Sequence, residues 1–259
     1  MMTERELNEL PVFDLLVEDA GNLGCLVHIP TLPGLNFRVE GASNIENVAL
    51  ARIPEYAHWL LVEGLEDLTS ETALLTQLVQ TGNLANLQVV ETEHKAGAPV
   101  WISGNAAVLF QSDRRPLGDE AVVAHVRFAR RVLEKMRELV APLSAAECAR
   151  APKPGRRSVD ETLTHIGNCI WWYCSRIDDE LPEPDDMPDD SAMDRIDHLF
   201  PAAAAYLLEL PLPVRATIHI PTRYPTKDLH ERWTHTKVCR RQVEHLWAHL
   251  PGLKSVTEN

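Results

Sequence analysis

Short alternating stretches fill the first part of the chain, and helical spacing takes over after residue 118. Val12 to Glu18 (VFDLLVE) reads as a strand, and Asp19 to Gly24 is turn-rich. Cys25 to Ile29 follows as a second strand, so the two form a hairpin. Pro33-Gly34 breaks the chain, and Asn36 to Glu40 alternates as a third strand. Ile45, Val48, Ala49, Ile53, Tyr56, Ala57, Leu60 and Leu61 then recur three and four apart. They predict a helix capped by Ser43 or Asn44 and bent at Pro54. A second helix is expected over Thr69–Gln80 and a strand over Leu87–Thr92. Residues 93–118 are rich in Gly and Pro and read as a linker, with short strands at Val100–Ile102 and Ala107–Phe110. The order ββ(β)α describes a small α+β unit.

From Asp119 the period is 3.6. Val122, Val126, Ala129, Leu133, Met136 and Val140 make the apolar face of a helix over Asp119–Ala141. Ser158-Val-Asp-Glu161 is a capping box, and the helix behind it is expected to run to about Asp178. On that helix His165, Cys169, Trp172 and Arg176 fall on one stripe. Residues 179–190 are acidic and Pro-rich, hence an exposed loop, and Ser191–Leu210 is a third helix broken or kinked at Pro201. Pro211 to Leu229 carries four prolines and a short β-like run, Ala216–Ile220. Trp233 to Leu250 is the fourth helix. Four long patterns with one long connection predict a four-helix bundle over 119–250. The expected organisation is α+β: a small α+β domain with its linker over 1–117, then an all-α four-helix bundle over 118–259.

Charge and cysteine usage narrow the function. Residues 1–118 hold 6 basic and 16 acidic side chains and the remainder 19 and 22, for a net charge of −13. That balance argues against a nucleic-acid groove or an anionic membrane surface as partner. Five cysteines without a CxxC pair or an export signal read as reduced thiols in a cytoplasm. No apolar run approaches the length of a membrane span.

The candidate chemistry lies in His245-Leu-Trp-Ala-His249. Two imidazoles four apart on a helix share a face and can reach one metal ion. Leu246 stands where a HExxH zinc site has its glutamate, so this is a different arrangement. A third ligand must come from elsewhere, and His165 is the candidate. Glu244 is a poor general base, because neighbours in sequence do not face each other on a helix. His125 reads either as pointing into the bundle or as a capping or surface residue. Cys169 reads either as facing the metal or as a buried thiol. Arg240-Arg241 reads either as a clamp for an anionic substrate tail or as a solvated, salt-bridged face. Trp171, Trp172, Tyr173 and Trp247 read as core or as a substrate cage.

Two resemblances add to this reading. Trp233, Thr234, Lys237, Val238, Arg240, Arg241, His245 and His249, with His165, Trp171 or Trp172, and Arg176 before them, resemble the DinB/YfiT-like superfamily. The resemblance implies a three-His site for a divalent metal, Zn or Ni, sometimes Fe. It also implies a metal-dependent transferase or hydrolase acting on a small molecule with a low-molecular-weight thiol such as bacillithiol, mycothiol or glutathione. Non-haem-iron sulfoxide synthases are a further branch. His165, His245 and His249 would hold the metal, Trp172, Arg176 and Arg241 would line the substrate, and a homodimer is implied. Near the N-terminus, Gly24 to Gly34 with its Leu-Pro-Gly turn, then Glu40-Gly41-Ala-Ser and a helix, resembles the HicB-like antitoxin fold. That implies a nuclease-like fold without catalysis, docking a protein partner. The alternative function is therefore a non-catalytic metal-binding or protein-interaction module.

Overall fold

The computed structural model describes residues 11–84, 87–96, 107–184, 191–223 and 230–257. Contacts divide the chain into two units, Met1–Asn105 and Ala106–Asn259.

The first unit is a small four-stranded sheet with two helices. Its strands are β1 (Val12–Asp19), β2 (Cys25–His28), β3 (Asn36–Val39) and β4 (Gln88–Ala96), and its helices are α1 (Ile45–Glu63) and α2 (Ser70–Thr81). The order across the sheet is β3-β2-β1-β4. The first three strands form an antiparallel meander, with Val17 opposite Val27 and Val27 opposite Phe37. β4 returns parallel to β1, with an irregularity between Leu15 and Leu16. A parallel return needs a crossover, which α1 and α2 supply. Two glycines are fixed by geometry. A Cβ on Gly24 would stand 2.5 Å from the Val39 carbonyl oxygen, and Gly34 has φ +85°, a region that favours glycine. Tyr56 on α1 donates to the Pro33 carbonyl at 2.7 Å, so the Leu-Pro-Gly turn is tied to the helix. α1 runs through Pro54 rather than ending there. Leu15 to Glu18 are buried in succession, so β1 is covered on both faces and buries a carboxylate. His28 Nε2 meets Glu18 Oε1 at 3.2 Å.

The second unit is mostly helical. Its long helices are α3 (Asp119–Val140), α5 (Val159–Cys174), α6 (Ala192–Glu209) and α8 (His235–Thr257), with short α4 (Ala145–Ala149) and α7 (Leu212–Arg215) between them. α8 packs on α3 and α5, and α6 packs on α5 and α3. The Ser158–Glu161 capping box is present in both directions, at 2.8 and 3.1 Å. Ser144 with Glu147 and Ser191 with Asp194 make two more such boxes, on α4 and α6.

The structure departs from the sequence-based expectations in several places. α5 stops at Cys174 rather than near Asp178, because Arg176 and Ile177 turn tightly onto the Tyr173 and Cys174 carbonyls. The run 216–220 contributes only an isolated bridge, His219 to Trp233, and α7 precedes it. Residues 107–110 form no strand. Val108, Leu109 and Phe110 are all buried, which a two-faced strand pattern does not give, and the Phe110 amide bonds the Asp113 carboxylate at 3.1 Å. The expected strand Val100–Ile102 lies outside the described residues. α8 continues through Pro251 to Thr257. Among the described residues no helix is long and apolar enough to cross a membrane, and all five cysteines are free thiols.

Candidate metal centre

Every residue from Trp233 to Leu246 is buried, so α8 is enclosed on all sides over its first three turns. A helix this polar can be buried only if its polar groups find partners. They do. Thr234 and Thr236 donate to the Asp113 and Arg115 carbonyls at 2.6 Å each. Arg240 forks onto Asp113 at 2.8 and 2.9 Å and reaches Glu244 at 3.0 Å. Arg241 meets the same Glu244 at 3.4 Å. Lys237 donates to the Arg232 carbonyl at 2.8 Å and stands 4.3 Å from the centre of the Trp233 ring. Arg240-Arg241 is thus a buried, ion-paired face and not a solvated one. Asp113, carried by a 3-10 turn at Ser112–Arg114, is the acid that sequence reading missed.

One turn further along α8, His245 and His249 stack as their spacing requires. α5 brings His165 against them. His165 Nε2 lies 3.0 Å from His245 Nε2, and His249 Nε2 lies 3.1 Å from the same atom. The ring centres are 4.5 to 5.2 Å apart, each pair edge-on. His245 and His249 are buried and His165 is partly so.

Protons alone do not satisfy this arrangement. A neutral imidazole nitrogen offers one proton or one lone pair. His245 Nε2 faces two other Nε2 atoms at once, so one hydrogen bond leaves the second contact without its own proton and lone pair. A cation that takes all three lone pairs satisfies every contact. With metal–nitrogen lengths near 2.0–2.1 Å, two nitrogens on one ion stand about 3.0 to 3.4 Å apart. The separations of His245 from His165 and from His249 fall in that range, and the three ligand atoms lie within 4.8 Å of one another. Protonation agrees with this donor set. Burial, then the charge of Arg157, lowers His165 to about 4. Burial also holds His245 well below its ordinary value, followed by the two other imidazoles, then Arg241 and Arg157. His249 is lowered to about 4, chiefly by burial. All three rings are neutral at pH 7, the form that binds metal.

The other sequence candidates are placed as follows. Tyr173 is buried, and its ring stands 5.8 Å from His245. Trp172 packs edge-on against Tyr173 and Trp233, with the Arg176 guanidinium 4.6 Å from its ring centre. Arg176 is fully buried and bonds Ser175 and the Arg223 carbonyl, with Glu231 at 3.7 Å. Trp172 and Arg176 therefore meet each other, and Trp172 also meets Trp233. Arg241 is one turn before His245 on α8. His125 is buried, with Nδ1 2.7 Å from the Ala121 carbonyl. Cys169 Sγ touches the His165 ring, 3.6 Å from Nδ1, and burial raises the thiol to about 12. Arg157, just before the Ser158 cap, carries no motif signal in the sequence, yet its charge acts on all three imidazoles.

Residues 129–250 match the family model of the DinB superfamily, a span that contains His165, His245 and His249. No curated protein and no solved structure matches the chain. Over residues 129–250 the C-terminal helical part of this chain is similar to the DinB superfamily, and it carries a three-His group that could hold a metal ion.

Proposed function

We propose that this is a divalent-metal-dependent enzyme of the thiol-dependent transferase or hydrolase type, acting on a small molecule through His165, His245 and His249. The observation that carries this is His245 Nε2 facing two imidazole nitrogens at 3.0 and 3.1 Å. Zn or Ni fits three neutral nitrogen donors, and Fe is the third choice. When bound, such an ion polarises a carbonyl or lowers the pKa of a bound water or thiol toward neutrality. The chain itself supplies three rings kept neutral by burial and held by two packed helices. Tyr173 presents its ring to His245 and limits water on that side. Arg241, one turn before His245, is the candidate for an anionic substrate group, although its guanidinium is paired with Glu244 at 3.4 Å. Trp172 and Arg176, the other two candidates for substrate contact, pack on one another, and Trp172 also packs on Trp233. That supports shaping the wall rather than touching substrate. Among the described residues no carboxylate joins the cluster, and Glu244 is turned to Arg240 and Arg241. The activated thiol or water would therefore give its proton to solvent or to the leaving group.

The test is metal content of the purified protein by mass spectrometry, beside a variant with His165→Ala, His245→Ala and His249→Ala. About one ion per chain in the first and none in the second is expected. Equal content in both, or none in either, would sink the reading.

The missing carboxylate favours a second reading, a non-catalytic metal-binding module whose first unit docks a protein. The Leu32-Pro33-Gly34 turn between β2 and β3, tied to α1 through Tyr56, supports a HicB-like first unit. A stoichiometric ion with no turnover on a panel of thiol conjugates would favour this reading, and turnover would exclude it. Domains at 1–117 and 118–259, a homodimer and a cytoplasmic location complete the proposal. Light scattering of the eluting protein checks the dimer.

A further inference from the structure

The three-His reading leaves one donor beside the cluster unused. Cys169 stands one turn after His165 on α5, and its Cβ leans back toward that residue, as on any helix. Sγ is 3.6 Å from His165 Nδ1 and 3.8 Å from His165 Nε2. These are its hydrogen-bonding contacts among the described residues. The site is thus built from two pairs spaced i, i+4 on packed helices: His165 with Cys169, and His245 with His249.

We propose that Cys169 is a fourth, displaceable donor to the ion held by the three imidazoles, occupying the position that an incoming thiol takes. This deepens the metal reading above and rests on it. With metal–sulfur and metal–nitrogen lengths near 2.3 and 2.0–2.1 Å, sulfur and nitrogen on one tetrahedral ion stand about 3.5 Å apart. Sγ is already 3.8 Å from one of the three ligand nitrogens. It is not among the atoms that converge within 4.8 Å. A change of χ1 rotamer moves a cysteine sulfur by about 3 Å, and such a change would carry Sγ to the ion. As the sulfur–metal bond forms, the Sγ proton passes to water. When a small thiol enters, it loses its own proton and Cys169 regains one, so the exchange needs no oxidant or reductant. A soft internal donor selects ions that accept sulfur and gives an entering thiol a like group to replace.

The test uses the full chain loaded with one Co²⁺. Sulfur bound to Co²⁺ gives a charge-transfer band in the near ultraviolet that imidazole ligands do not give. The expected result is this band in the native protein, its loss in Cys169→Ser with Co²⁺ still bound, and its retention in Cys148→Ser. Adding a small thiol such as glutathione to Co²⁺-loaded Cys169→Ser restores the band. If the native protein binds Co²⁺ stoichiometrically without the band, or if Cys169→Ser keeps it, Cys169 is not a ligand and the three-His site stands alone. If no Co²⁺ binds, the three-His reading falls and this inference falls with it. Should Cys169→Ser fail to fold, Cys169→Ala, which keeps a small side chain, takes its place with the same expected loss.

Discussion

Buried histidines in this protein meet their surroundings in two ways. His28, inside the sheet of the first unit, places Nε2 at 3.2 Å from the buried Glu18 carboxylate. In the second unit His235 and His125 place a ring nitrogen at 2.9 and 2.7 Å from the carbonyls of Leu207 and Ala121. Each of these rings has one nitrogen answered by an oxygen, although His235 Nδ1 is buried without a partner. His165, His245 and His249 are answered by one another. Three groups of the same kind cannot all donate and accept around one nitrogen, so the cluster calls for a cation. A buried histidine becomes a candidate ligand when its only partners are other ligands.

This contrast can be broken or sharpened by experiment. The largest effect is expected from metal. An ion at about a thousand times its Kd stabilises the folded state by about 4 kcal/mol. Denaturant unfolding with Zn²⁺ and with a chelator should show that gain in the native protein and none in His245→Ala. An equal gain in the variant would place the ion elsewhere. Next comes His28→Leu, which leaves Glu18 buried without its imidazole partner and should cost about 3 kcal/mol. Metal content should stay unchanged, and a loss of metal would mean the two groups are coupled. Acid is third. The three cluster imidazoles titrate lower in the folded protein than the ordinary 6.5, so the unfolded chain binds more protons between the two values. Their contribution is present above about pH 6.5 and lost as pH falls toward 4. The metal-free native protein should therefore lose stability over that window, by at most about 1.4 kcal/mol per pH unit for each ring. The triple alanine variant should show a shallower slope, and identical slopes would refute neutral burial. The smallest effect is His235→Gln, which disturbs one carbonyl hydrogen bond and should cost about 1 kcal/mol with metal binding intact.

What could be read from the sequence was what is local. His245 and His249 are four apart, and the Ser158–Glu161 box is three apart, so helix geometry alone relates their side chains. His165 could be proposed as third ligand but not brought to the others by spacing, because the approach of α5 to α8 is tertiary. Asp113 was invisible for the same reason: Arg240 lies 127 residues away, and an acid in a loop carries no periodic signal. The stripe that grouped Arg176 with His165 assumed a helix running to about Asp178. Once α5 ends at Cys174, Arg176 leaves that stripe for Glu231 and the Arg223 carbonyl. In the first unit the hairpin and first helix were legible from alternation and 3–4 spacing. The burial of Glu18 on a strand covered on both faces was not, since a strand's own pattern does not say what lies above it.

The enclosure of α8 sets a limit on change. Arg240 and Glu244 are matched to the turn that holds Asp113, and His245 and His249 to α5. One added or deleted residue between Arg240 and His245 would rotate one set against the other by about 100°. The helix can be indexed to its charged partners or to its imidazole partner, but not to both. Insertions should therefore be admitted in the segments around α8 long before they are admitted within it.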